Sequence, residues 1–256
     1  MYGLIDLHAH ILYDIDDGPD TPYESMRLCE MAVENGIEQI VSTSHLLEPE
    51  DLPDFLPRRN DRILRLREQI EKAGLPLRIY PGAEVFVDEG IFSARHLDKL
   101  TINGSRYLLI EFEFHGLTPR RLTRYIDEIF RRDLVPIIAH PERYSFLQRD
   151  WGLVDYLAQR GALFQINADS LAGRTGREEF ELAYRMARRG TASFIATDAH
   201  STLGRPNDLL RMIRDFPPDL SRQNLDYMLY KAPSRVLANE EIPSVRRTEA
   251  HRRRYE

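Results

Sequence analysis

The chain has 256 residues, 42% of them hydrophobic, with 35 basic against 41 acidic side chains and a formal charge of −6. That length and apolar share suit one large globular domain with a real core, and the acidic balance argues against a nucleic-acid binder, which would carry a basic face. One cysteine, Cys29, excludes an internal disulfide framework and a thiolate-built zinc site, and no apolar run approaches the roughly 20 residues that span a bilayer.

The N-terminus shows no basic region followed by an apolar leader, so a cytoplasmic chain without stable membrane insertion is expected. Tyr2 to Leu7 reads as the first strand. His8 and His10 follow two residues apart, which in extended backbone puts both on one face. Tyr13 to Asp20 is an acidic, turn-rich loop. Thr21 or Pro22 opens a helix to Asn35, with Met26, Cys29, Ala32 and Val33 on one stripe and Gly36 as the stop. Glu38 to Thr43 is the second strand, ending at Ser44-His45. Leu46 to Pro57 reads as a long proline-rich acidic loop of the kind that rims a site. Arg58 to Ala73 is an amphipathic helix closed by Gly74.

Leu77 to Tyr80 is the third strand and leads into Pro81-Gly82-Ala83-Glu84. A short helix is expected over Ala94–Lys99. Tyr107 to Phe112 is the fourth strand, with Glu111 near its end, and Thr118-Pro119 opens a helix to Arg132. Val135 to Ala139 is an apolar strand ending in His140-Pro141-Glu142-Arg143-Tyr144. Gly152 to Arg160 is a helix, Ala162 to Ile166 the sixth strand, and Arg177 to Arg189 a helix closed by Gly190. Ser193 to Ala196 is the seventh strand, ending in Thr197-Asp198-Ala199-His200. Helices near Asp208–Phe216 and Ser221–Lys231 follow. Residues 1–240 read as a single domain and 241–256 as a charged, mobile tail.

Apolar strands alternating with helices indicate a parallel sheet buried on both faces, with ligands gathering at the strands' carboxyl ends. There the chain places His8, His10, Asp17, His45, Glu84, Glu111, His140, Asp198 and His200. Imidazole plus carboxylate without thiolate suits Mn, Fe, Zn or Co better than Ca or Mg. Nine donors are too many for one ion; they fit two or three, with a bridging carboxylate. Any one histidine at a strand end is more often structural than a ligand; His96 and His251 carry no role, and His115 reads as a rim residue. It is the coincidence of compatible donors at strand after strand that favours metal. Arg143 and Arg205 follow two of the histidines closely, and a planar guanidinium holds phosphate oxygens bidentately. Cys29, on a helix stripe, reads as packing.

Asp-Leu-His-Ala-His (6–10), Ser-Thr-Ser-His (42–45), Ala-His-Pro-Glu-Arg-Tyr (139–144) and Thr-Asp-Ala-His (197–200) resemble the four motifs of the polymerase-and-histidinol-phosphatase (PHP) superfamily. Asp16-Asp17-Gly18-Pro19, Gly82-Ala83-Glu84, Ser105-Arg106-Tyr107 and Gly204-Arg205-Pro206 are similar to the bacterial metal-dependent protein-tyrosine phosphatases of capsule and exopolysaccharide gene clusters. The likeness runs from Ile5 to about Asn239. It implies an α/β fold, a distorted (β/α)7 TIM-like barrel of the PHP type, with a trinuclear and usually manganese-loaded site; Fe, Zn, Co or Mg are alternatives. By position, one ion would take His8, His10, Glu84 and Asp198, a second Glu84, Glu111 and His140, and a third Asp17, His45 and His200. Arg143 and Arg205 would hold the phosphate. The resemblance implies hydrolysis of phosphotyrosine by a metal-activated hydroxide, on the tyrosine-rich C-terminal tail of a bacterial tyrosine autokinase. A PHP phosphatase of a small molecule such as histidinol phosphate is the nearest alternative. A non-catalytic phosphate-binding regulatory module is a further one.

Overall fold

The computed structural model of the protein describes residues 3–114 and 116–243. His115, expected at the rim, and residues 244–256 of the stretch 241–256 expected as a tail lie outside the described residues; Ile242, expected in that tail, is buried in the core.

The strands are β1 (Leu4–Ala9), β2 (Ile37–Ser42), β3 (His45–Leu46), β4 (Arg78–Pro81), β5 (Glu84–Phe86), β6 (Tyr107–Glu111), β7 (Val135–Ala139), β8 (Leu163–Asn167) and β9 (Phe194–Ala196). All pairs are parallel, in two sheets ordered β1-β2-β4 and β3-β5-β6-β7-β8-β9. The expected second strand breaks at Thr43-Ser44, and the third at Gly82-Ala83. The halves of each then pair in different sheets. At the break the backbone of Glu84 donates to the Thr43 carbonyl at 3.0 Å. Gly82 is needed there, because a Cβ would stand 2.7 Å from Val41 Cγ1. On the far side, Asp198 N donates to the His8 carbonyl (2.8 Å) and His10 N to the Ala199 carbonyl (2.7 Å). Ala9 and Ala199 form a parallel bridge. The seven strand positions are thus spliced at their carboxyl ends, which is the distortion of the (β/α)7 barrel.

The helices are α1 (Pro22–Glu34), α2 (Leu52–Ala73), α3 (Pro119–Phe130), α4 (Ser145–Arg149), α5 (Trp151–Arg160), α6 (Ala168–Leu171), α7 (Arg177–Arg189), α8 (Leu209–Arg214), α9 (Arg222–Asp226) and α10 (Ala232–Leu237). Sequence explains their ends. Thr21 Oγ1 accepts from Glu24 N, and the Glu24 carboxylate accepts in return from Thr21 N, a reciprocal cap on α1. Gly74 and Gly190 end α2 and α7 at φ 66° and 71°, which favours glycine.

Three expectations give way. Leu46–Pro57 is not an open loop: Leu46 belongs to β3, a 3₁₀ turn covers Pro49–Asp51, and α2 starts at Leu52. Pro53 lies in the first turn, where its missing N–H has no intrahelical partner to lose, and Pro57 forfeits only the bond to the Pro53 carbonyl. Burial of Leu52 and Phe55 outweighs that loss. The helix expected over Ala94–Lys99 is two 3₁₀ turns, Gly90–Ser93 and Leu97–Leu100, separated by His96 at φ 72°. The last helix runs beyond Lys231: α9 widens into a π turn over Tyr227–Lys231 and continues as α10. Pro233 cannot donate to the Leu229 carbonyl, and the wide turn makes room for its ring.

Strand residues sort alternately into two apolar clusters. Ile5, Leu7, Val41, Tyr107, Leu109, Ile137, Ala139, Leu163 and Phe194 fill the inside, closed by Ala232 and Val236 of α10 and by Ile242. Ile40, Leu108, Ile110, Ile138, Phe164, Ile166 and Ile195 face the helices. The pairing of β1 with β2 slips between Asp6 and Ala9. Leu7 lies in the inner cluster but Ala9 in the outer one, so the slip turns His8 and His10 inward, above the plug.

Candidate metal centre

All nine predicted donors meet at one end of the barrel, His45 and Glu84 where β2 and β4 break off into β3 and β5. Glu84, at the start of β5, is the hub. Its Oε2 lies 3.0 Å from His8 Nε2, 3.2 Å from His10 Nε2 and 3.3 Å from His45 Nδ1, and its Oε1 lies 2.9 Å from His140 Nε2. Asp198 Oδ1 stands 3.3 Å from His8 Nε2 and 3.6 Å from His10 Nε2. Glu111 reaches His45 Nδ1 at 3.0 Å and His140 Nε2 at 3.9 Å. Asp17 reaches His200 Nε2 at 3.2 Å and His45 Nε2 at 3.6 Å.

Three groups of donor atoms are close enough to hold a cation: His8, His10, Glu84 and Asp198; His45, Glu84 and Glu111; and His10, Asp17, His45 and His200. The first is the set the family pattern implies. In the second His45 joins the two glutamates, while His140 touches both from the side. In the third His10 is added.

The donor chemistry fits divalent ions. Asp198 Oδ1 and His45 Nδ1 are buried and receive no hydrogen bond of good geometry, although opposite partners lie within 3.0–3.3 Å. Lone pairs aimed at one another across such gaps leave the position a cation fills. Without one, protons do the balancing. Burial disfavours the His8 imidazolium, but Glu84 and Asp198 outweigh it and raise its pKa to about 9. Burial also works against the Glu84 carboxylate, yet His8, His10 and His140 hold it well below the usual range. His200 goes the other way: burial, then the His10 charge, bring it down to about 4.

Two of the donors carry backbone strain as well. His140 and Asp198 take φ 33° and 54°, left-handed values that cost a non-glycine residue on the order of 1–3 kcal/mol. Both begin the turn at a strand end, and the turn is what aims their side chains back over the barrel.

Arg205 contacts Asp198 Oδ2 and donates to His200 Nε2 at 3.2 Å. Arg143 is exposed; its guanidinium stacks 4.6 Å over the Phe114 ring, and that ring lies 5.9 Å from His140. One arginine is therefore within the donor cluster and the other at its margin.

Sequence reading missed the residues that brace the ligands. Asp16 Oδ2 accepts from His10 Nδ1 at 2.8 Å and from the His45 backbone N at 2.9 Å. Asp6, buried, accepts from Thr197 N at 3.0 Å and from Thr197 Oγ1, tying β1 to the end of β9. Gln165 and Asn167 on β8 touch His8 and Asp198. Gln165 carried a usable signal: a lone amide inside Leu163-Phe164-Gln165-Ile166 must find a partner once buried.

Residues 4–238 match the family described as capsular polysaccharide synthesis, CpsB/CapC. CapC of Staphylococcus aureus is 34% identical over 240 residues, covering 93% of each chain. The tyrosine-protein phosphatase YwqE of Bacillus subtilis is 29% identical over 248 residues, again with 93% of each chain covered. The tyrosine-protein phosphatase CpsB of Streptococcus pneumoniae is 31% identical over 219 residues, covering 79% of this chain and 85% of the relative. A crystal structure from work on YwqE and CpsB as metal-dependent tyrosine phosphatases superposes with a TM-score of 0.80 at 26% identity, over 95% of this chain and 100% of that one. A lactonase of Listeria monocytogenes, with a TM-score of 0.61 at 10% identity over 93% of this chain and 95% of that one, shares the fold alone. The chain belongs to the CpsB/CapC family of capsular polysaccharide synthesis.

Proposed function

We propose that this chain is a metal-dependent protein-tyrosine phosphatase, loaded with Mn²⁺, that acts in the cytoplasm on the phosphorylated C-terminal tail of a bacterial tyrosine autokinase. The observation that carries the reading is the Glu84 carboxylate in contact with four histidines, within a family whose relatives YwqE and CpsB are tyrosine-protein phosphatases. His8, His10, Glu84 and Asp198 would hold one ion. Glu84 and Glu111, with His45 or His140, would hold another, and Asp17, His45 and His200 a third. When bound, such ions supply Lewis acidity and an activated water for attack on phosphorus.

The chain's own groups do the rest. Asp16 keeps the proton on His10 Nδ1, since a carboxylate only accepts, and so leaves Nε2 bare toward Glu84. His200 Nδ1 donates to the Asp198 carbonyl at 2.9 Å with the same result for its Nε2. Arg205 offers its planar fork to the equatorial oxygens of a phosphate monoester, exchanging its contact with Asp198 for substrate. Arg143, stacked on Phe114, approaches from the open side. Cys29 supplies no nucleophile: it is fully buried on α1, and burial pushes its thiol up to about 12.

Exhaustive chelation should abolish p-nitrophenyl phosphate hydrolysis, and Mn²⁺ should restore it; activity that survives chelation would overturn the metal reading. On the restored enzyme, phosphotyrosine peptides should turn over faster than histidinol phosphate. The reverse order would make the protein a small-molecule phosphatase. Peptide binding without phosphate release would make it a regulatory module.

A further inference from the structure

Unlike its neighbours β7 and β9, strand β8 supplies none of the proposed ligands. It supplies two amides instead. Gln165 and Asn167 are two apart on β8, so they share a face, and both are buried. His8 Nδ1 lies 2.7 Å from Gln165 Oε1. Gln165 Nε2 lies 2.9 Å from Asn167 Oδ1, and Asn167 Nδ2 lies 2.9 Å from Asp198 Oδ2.

The polarity of this chain of bonds is forced from one end. Asp198 Oδ2 is a carboxylate oxygen and only accepts, so Asn167 must turn its NH₂ toward it. The Asn167 carbonyl oxygen then faces Gln165, which must present its own NH₂. That leaves the Gln165 carbonyl oxygen facing His8, and His8 Nδ1 must carry a proton. Nε2 is the nitrogen left to point at Glu84 and at Asp198 Oδ1. Reversing either amide would set donor against donor or oxygen against oxygen in a buried place. The far end is anchored too: Asn167 N donates to Glu142 Oε1 at 2.8 Å, which pins β8 to the turn after His140.

We propose that Gln165 and Asn167 are positioning residues, an amide relay from β8 that fixes the tautomer of His8 from the charge of Asp198 and turns both toward one ion. The inference rests on reading His8, His10, Glu84 and Asp198 as an ion site. It assigns β8 a task in the centre although it holds no ligand. It also predicts which ion is affected: the one held by His8 and Asp198.

The test is Mn²⁺ titration, by calorimetry and by electron paramagnetic resonance of free Mn²⁺, of wild-type protein, Gln165→Leu and Gln165→Glu. Q165L removes the acceptor at similar volume and should weaken one ion roughly 10–100-fold, the usual cost of losing an outer hydrogen bond to a ligating histidine, while the remaining ions bind as before. Q165E still presents an oxygen to Nδ1 but sets its other oxygen against Asn167 Oδ1, so it should recover part of that loss. Equal affinities in Q165L and wild type would overturn the proposal. So would a Q165E variant as weak as Q165L, because that pattern marks a merely structural role. A second measurement needs no metal: a nitrogen-15 histidine spectrum of the metal-free protein, recorded at a pH high enough that His8 is neutral, should show the remaining proton on Nδ1, hydrogen-bonded, with Nε2 bare, and that preference should be lost in Q165L. Its absence from wild type overturns the relay by itself, even if Q165L does not fold. Its presence in a wild-type protein that binds no Mn²⁺ would keep the relay and reject the ion site.

Discussion

The centre has two unlike halves. The inner half is His8, His10, Glu84, Asp198 and the β8 amides, all buried and all partnered within the protein. The outer half is Asp17, His45, Arg205 and Arg143, drawn from loops, a 3₁₀ turn and the two-residue strand β3, with side-chain exposures of 65% for Asp17, 19% for His45 and 38% for Arg205. The inner half is a low-dielectric place where a missing charge has no substitute, so each carboxylate there is matched by imidazoles. The outer half is wet, and water can stand in for a lost group. Chemistry that needs fixed electrostatics belongs to the first half, and exchange of substrate for Arg205's present contacts belongs to the second.

The sharpest way to break this division is at the hub. Glu84→Gln keeps the shape and removes the charge that four histidines share. It should empty at least two ion positions and lower kcat by more than roughly 10³-fold, beyond the 10–100-fold typical of outer-shell losses. Metal analysis on the purified variant checks the first part and steady-state kinetics the second. A Glu84→Gln protein with full metal content would mean that the inner half is not the ion-holding one. Arg205→Ala tests the boundary between the halves. It should cost on the order of 10²–10³ in kcat/KM, the scale of removing one donor from a developing negative charge, with metal content unchanged. If the ions leave as well, Arg205's contact with Asp198 is part of the inner scaffold and not a substrate-facing group.

Legibility in the sequence followed the same division only in part. Strand ends could be read because continuous apolar runs stop abruptly at histidine or carboxylate, as in Val135–Ala139 before His140. The His8/His10 pair was readable from the period of two, yet the slip in β1 that turns both inward was not, because register lives in the partner strand. Asp16 looked like one more acid in a turn. Gln165 and Asn167 looked like ordinary polar residues near a strand end, since an amide's role depends on what it faces across space. Proline misled the reading of Leu46–Pro57: it breaks a helix interior but is tolerated in a first turn, and Leu52 and Phe55 had apolar surface to bury. The splice of β2 into β3 and of β4 into β5 was likewise hidden, although Gly82 marked one of the two breaks.

Asp17 offers the gentlest test of the comparison. It touches His200 and His45 at 3.2 and 3.6 Å, but most of its surface is in water. Asp17→Asn weakens a ligand of the third ion and should raise the Mn²⁺ concentration for half-maximal activity by at least about tenfold, the floor set by losing a mere hydrogen-bond partner of a ligand, and excess Mn²⁺ should restore most of kcat. The amide oxygen or a water can stand in for the carboxylate because the position is open to solvent, and this makes the loss one of affinity. The same rescue should fail for Glu84→Gln, where the surrounding imidazoles and the apolar plug beneath leave water no route in. Activity titrated against Mn²⁺ for the two variants side by side separates the halves directly. If excess metal rescues both or neither, burial does not divide the centre and the two halves behave as one.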